Sequence, residues 1–146
     1  MTKFLVDRML GQTAKWLRLL GVDAEYAPKG DDKKLKDIAK KEDRIILTRD
    51  KELSKYEYAL YIEERDIELI LDKILEKYDL DIEPLIRCSL CNSKIESIDK
   101  KEIEKDVPEG VYKRNEEFWI CNKCGQIYWK GSHWDKIMEK IEKLKN

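Results

Sequence analysis

Residues 44–53 read RIILTRDKEL: the apolar run Ile45, Ile46, Leu47 is followed at once by Thr48, Arg49 and Asp50. A continuous apolar run of this kind reads as a strand buried on both faces. It then surfaces on an acid. The chain repeats the arrangement in KFLVDRML, residues 3–10, where Phe4, Leu5 and Val6 run into Asp7. Two buried strands that each end on an aspartate are the feature from which the rest is read.

The segments between them alternate in type. Leu10, Ala14, Leu17 and Gly21 follow the spacing of one helical face, predicting a helix from Met9 to Leu20 with Gly21 as its stop. VDAEYA, residues 22–27, reads as a strand, and Pro28 and Gly30 mark a turn. DDKKLKDIAKKED, residues 31–43, carries Leu35, Ile38 and Ala39 on one face behind an N-capping Asp31. After RIILT come a short turn, the strand YALYI and the amphipathic helix DIELILDKILEKY. Strands alternating with helices predict a parallel α/β sheet, and such sheets bind ligands beyond the carboxyl ends of their strands.

DLDIEPLI, residues 79–86, reads as a linker or an extended crossing, and the composition changes after it. This divides the chain into an α/β domain, residues 1–82, and a cysteine- and aromatic-rich domain, residues 83–146, ending in a helix with Ile137, Ile141 and Leu144 on one face. Cys88-x-x-Cys91 and Cys121-x-x-Cys124 use every cysteine in the chain. Two such pairs predict a closed tetrahedral zinc site, structural rather than catalytic. Two redox pairs or unpaired buried thiols are the alternative. Gly125 supplies the tight turn, and RCSLCNSK and WICNKCGQIYW read as hairpin arms. A small domain with a thin core depends on its metal, so chelation is expected to unfold residues ~85–135 first. Trp119, Tyr128, Trp129 and Trp134 suit base stacking, the small core of the ribbon or its seam with the first domain, and the seam is the expectation for most of them. His133, the only histidine, reads as a packing residue beside Trp134, with acid–base chemistry as the alternative.

Formal net charge is -1, from 30 basic and 31 acidic residues, and neither half is strongly charged. Bulk charge therefore announces no nucleic-acid binder, and any such site must be local. Charged residues reach 42%, against about a quarter in ordinary domains. No stretch has the ~18 apolar residues of a membrane span, and the start of the chain does not read as a signal peptide. A cytoplasmic protein with reduced cysteines is the expectation.

Adjacent strands would bring Asp7 and Asp50 to one edge, where the DDKKL helix begins and offers a third acid. Carboxylates gathered without cations repel, and a hard divalent ion, Mg²⁺ or Mn²⁺, relieves this. Such an ion activates water for phosphodiester hydrolysis. Each aspartate has an alternative use as a helix cap.

FLVDRMLGQTAKWLRLLGVDAEY, DDKKLKDIAKKEDRIILTRDKEL, RCSLCN and FWICNKCGQIYWKGSHW, taken together and in this order, resemble the Mut-seven C-terminal RNase domain family. The resemblance implies a PIN-like nuclease fold followed by a zinc ribbon, and a metal-dependent ribonuclease acting on RNA. It implies catalytic, metal-holding roles for Asp7, for Asp32 at the head of D-x-x-L-x-x-I-A, and for Asp50 in T-x-D. Asp31 is left as the cap or as a residue that orients a ligand. Many PIN nucleases carry a further acid; Glu63, Glu64 and Asp66 follow YALYI, but none sits in a matching motif. The alternative to catalysis is an inactive RNA-binding or ribosome-associated PIN-like module. Arg8, Lys15, Arg18 and Arg49 lie near the acids in sequence and are the expected phosphate contacts.

Overall fold

The computed structural model describes residues 2–145, the side chains of His133, Ile137, Lys140, Leu144 and Lys145 excepted. The readings of His133, Ile137 and Leu144 therefore lie outside the described side chains. Phe4–Val6 is β1, Ala24–Tyr26 β2, Ile45–Thr48 β3 and Ala59–Tyr61 β4. All pair in parallel, in the order β2-β1-β3-β4. Between them lie α1 (Gly11–Leu19) and α2 (Asp32–Glu42), with α3 (Ile67–Lys77) after β4.

Alternation along the two central strands builds the layers. Phe4, Val6 and Leu47 pack with residues of α1 and α3, whereas Leu5 and Ile46 pack with Leu35 and Ala39 of α2. Side chains of successive strand residues point to opposite faces, so each run feeds two cores. The caps are local. Asp31 Oδ1 accepts the Lys34 N–H at 2.9 Å to start α2, which ends at Asp43 in the left-handed conformation (φ 56°). Asp66 accepts the Glu68 N–H at 2.8 Å to start α3.

The helix expected from Met9 starts instead as a 3-10 turn, Arg8–Leu10, and becomes α1 only at Gly11. Asp7 Oδ1 accepts the Arg8 N–H at 2.7 Å and so opens that turn.

The second half carries β5 (Glu96–Ile98), the short helix α4 (Glu109–Arg114), β6 (Phe118–Ile120), β7 (Ile127–Tyr128) and α5 (Ser132–Lys145). β5, β6 and β7 form an antiparallel sheet in that order. Cys88, Cys121, Tyr128, Trp134 and Ile141 share one apolar cluster with Phe4 and Leu17. Trp16 of α1 stacks on Trp134 of α5 with centroids 6.1 Å apart, placing Trp134 at the expected seam.

The segment 79–86, read as a linker, packs down on α1. Glu83 and Leu85 donate their N–H groups to Leu20 and Leu19 carbonyls, each at 3.0 Å, and Leu80 and Leu85 are buried. Its path requires Gly21, which has φ +86° and where an added Cβ would lie 2.2 Å from the Glu83 carbonyl oxygen. The obstructing oxygen belongs to backbone and cannot swing aside, so Gly21→Ala is expected to cost about 2–3 kcal/mol. Urea unfolding measures this, and an unmoved midpoint would show that the segment does not hold the chain there.

Candidate functional site

The parallel pairing sets Val6 of β1 against Leu47 of β3, and the Asp7 N–H continues the ladder to the Leu47 carbonyl at 2.9 Å. Asp7 therefore sits beside Thr48, whose side chain is fully buried. The Thr48 hydroxyl donates to Asp7 Oδ2 at 2.6 Å and accepts the Asp50 N–H at 3.0 Å. One hydroxyl thus fixes a carboxylate on one strand end and the backbone carrying the other. Asp50 Oδ1 accepts the N–H groups of Glu52 (2.9 Å) and Leu53 (3.3 Å).

Both aspartates therefore make the caps that the plainer reading assigned them, and Asp31 caps α2. The caps engage Oδ1 of Asp7 and Oδ1 of Asp50. A carboxylate has about four acceptor positions, so capacity remains on each. Asp32 is the first residue of α2 and is half-buried. β2 runs parallel to β1, so the connection after Tyr26 begins at the same carboxyl edge and leads into α2. Among the described residues, the only group of three or more metal-ligating side chains with ligand atoms all within 4.8 Å is the cysteine set. Asp7, Asp32 and Asp50 do not form such a group.

The expected basic contacts divide. Arg8 and Lys15 are exposed. Arg49 is half-buried and bridges strand ends, donating to the Glu64 carbonyl at 2.7 Å and more weakly to the Met9 carbonyl at 3.4 Å. Arg18 is a correction. It is buried, with Nε donating to the Ala24 carbonyl at 2.7 Å and Nη1 to the Ser89 carbonyl at 2.9 Å. Its guanidinium joins β2 to the first cysteine loop and is not available to a phosphate on the surface.

Of the acids after β4, Glu64 pairs with Lys73 at 3.0 Å. Its slight burial is outweighed by backbone hydrogen bonds and Lys73, which hold it below the usual carboxylate range. Asp66 is the α3 cap. Glu63 is exposed and lines a groove of about 540 Å³ with Met9, Arg49, Tyr61 and Arg65. Nothing in the sequence separates Glu63 from its neighbours; only its place at the strand end does.

The four cysteines are positioned to bind a metal ion. Cys88 Sγ lies 3.6 Å from Cys124 Sγ, and Cys91 Sγ lies 3.4 Å from Cys121 Sγ. A tetrahedron with metal–sulfur bonds of ~2.3 Å has sulfur–sulfur edges of about 3.8 Å, whereas a disulfide needs about 2.05 Å. The donor set therefore fits a tetrahedral soft-ligand ion and not two bridges. Hydrogen bonds from Ser93 pull the Cys91 thiol down to about 6. The Gln126 N–H lowers Cys124, but burial and the sulfurs of Cys88 and Cys121 outweigh it and push that thiol up to about 11. Four thiols this close cannot all ionise until a cation joins them.

The two loops share one backbone solution. The residue after each second cysteine is left-handed, Asn92 at φ 64° and Gly125 at φ 83°. Glycine and asparagine are the residues that take this conformation cheaply. Tyr128 supports the first loop. Its hydroxyl lies 3.0 Å from Cys88 Sγ and accepts the Ser89 N–H at 2.8 Å. Burial, then the neighbouring Cys88, raises this phenol, so it stays protonated.

Asn92 does a second job. Its Nδ2 donates to Asp23 (2.8 Å) and Glu25 (2.9 Å), and its Oδ1 accepts the Ala24 N–H at 3.4 Å. Asp23 also pairs with Arg44 at 2.8 Å, and Arg44 reaches the Phe4 carbonyl at 3.1 Å. Burial would raise the Asp23 carboxyl, but hydrogen bonds from Arg44 and Asn92 and the charges of Arg44 and Arg87 hold it below its ordinary value. The cysteine loop is thereby bonded through β2 to β1, the strand that carries Asp7.

A family model described as the Mut7-C RNAse domain matches residues 2–141. No curated protein and no solved structure matches the chain. Among the described residues, no helix is long and apolar enough to cross a membrane.

Proposed function

The chain belongs to the Mut7-C RNAse domain family, and from that premise we propose that it hydrolyses RNA phosphodiester bonds at the edge formed by Asp7, Asp32 and Asp50. Bound there, Mg²⁺ or Mn²⁺ would supply Lewis-acid activation of water and charge relief for the phosphate. The observation that carries the proposal is the Thr48 hydroxyl, which links Asp7 to the Asp50 backbone across two adjacent strand ends. A fixed pair of carboxylates with acceptor capacity to spare is the preorganisation such a site needs. Asp32 would complete the set from the head of α2, and Arg8 and Lys15 would hold flanking phosphates. In this reading Cys88, Cys91, Cys121 and Cys124 hold a structural Zn²⁺ with no open position.

The test is cleavage of labelled single-stranded and hairpin RNA by zinc-loaded protein, with and without added Mn²⁺ or Mg²⁺. Cleavage is expected only when the divalent ion is added. Turnover indifferent to the added ion would sink the proposed chemistry. The capping bonds of Asp7 and Asp50, with no ligand-close carboxylate group among the described residues, favour a second reading: an RNA-binding or ribosome-associated module without turnover. Tight RNA binding with no ion-dependent cleavage would select it.

A further inference from the structure

A cleft of about 340 Å³ opens between α1, the first cysteine loop and the start of α5. It contains none of the three aspartates of the acidic edge and shares only Lys15 with that site. Its lining includes Trp16, Trp129 and Trp134, with Leu90, Lys15 and Gln126 among the others. Leu90, between the first two cysteines, is 61% exposed. Trp16 and Trp134 are held by stacking on one another, and Trp129 is braced by Phe118 at 6.3 Å. The aromatic walls are therefore fixed before any ligand arrives. In a chain with 31 acidic residues, the lining has, among the described residues, one charged side chain, the exposed Lys15, and no carboxylate.

A preformed apolar slot with aromatic walls and a lone cation suits an aromatic ligand bearing a negative charge. It is also the size class that takes small ligands. Lys15 is in the second turn of α1, eight residues after Asp7, or roughly 13 Å of helix rise along the axis. We infer that this cleft is a subsite for one unpaired nucleobase of single-stranded RNA, the base packing between Leu90 and Trp129 and its phosphate meeting Lys15. The inference rests on the ribonuclease reading and adds to it a requirement for an unpaired nucleotide away from the scissile bond.

The experiment uses zinc-loaded full chain and a short single-stranded RNA carrying 2-aminopurine, without added Mg²⁺ or Mn²⁺. Stacking is expected to quench the 2-aminopurine on binding. Leu90→Asp places a carboxylate at an already exposed position and is expected to weaken binding about tenfold and abolish the quenching. Lys15→Glu is expected to weaken binding by a similar factor. Leu69→Ser, at an exposed leucine on α3 outside the cleft, should leave affinity unchanged. Equal affinity and quenching for wild type and folded Leu90→Asp would overturn the subsite. Ion-dependent cleavage by wild type, assayed in parallel, then tells whether the acidic-edge reading survives. Wild-type protein that neither binds nor cuts RNA removes both.

Discussion

Asp7→Asn should reduce RNA cleavage by about 10²–10³-fold while leaving the fold intact. The substitution removes a charge from the edge but not the hydrogen bonds that place it. An asparagine oxygen still accepts the Arg8 N–H, and its amide can donate to the second lone pair of Thr48 Oγ1. The expected loss of stability is therefore no more than about 1 kcal/mol. The measurement is single-turnover cleavage alongside thermal unfolding, each at several Mn²⁺ concentrations. Weaker ion binding, with cleavage partly restored at high Mn²⁺, identifies Asp7 as a ligand. Full activity in folded Asp7→Asn would point to a contaminant or to a site elsewhere. The same assay separates Asp32→Asn, expected to lose cleavage, from Asp31→Asn, which alters only a cap.

Loss of the thiolate set has the larger structural effect. Cys121→Ser, or chelation with verified zinc removal, is expected to unfold more than the segment 85–135 that the sequence singles out. Structural zinc contributes on the order of 10 kcal/mol in small domains, as much as the whole stability of many proteins. Here Cys88 and Cys121 lie in one apolar cluster with Phe4, Leu17 and Trp134. The first loop is also bonded to β2 through Arg18 and Asn92. Hydrogen exchange should show residues 85–135 losing protection first and residues 16–27 following. Unchanged circular dichroism after verified zinc removal would refute the dependence, and unchanged protection in 16–27 would show that the two parts uncouple.

Much of this architecture is legible in the sequence because single residues announce it. Ile45–Leu47 and Phe4–Val6 are buried on both faces, so their apolar runs are continuous and their ends are sharp. Two cysteine pairs with none left over admit few arrangements. Asp31 before a helical stripe is a cap on local grounds alone. What stays hidden depends on partners distant in sequence. Arg18 looks like a surface residue three positions after Lys15, and only the Ser89 carbonyl, 71 residues away, turns it inward. Asn92 and Tyr128 carry no motif, yet each orients the first cysteine loop. Residues 79–86 lack periodicity because they pack through backbone bonds to α1 rather than through a repeating face. The acidic edge shows the same division. Asp7 and Asp50 are visible from their strands, while the hydroxyl that links them becomes visible only when those strands pair.

β2 is the outer strand of its sheet, and an outer strand offers unpaired N–H and C=O groups to any extended chain that drifts by. At Ala24 both are taken, the N–H by the Asn92 side chain and the C=O by Arg18. The cysteine loop thus shields the flank against strand addition. While that loop stays closed, strand addition at Ala24 is blocked, whereas a chain whose loop has opened exposes Ala24 to its neighbours.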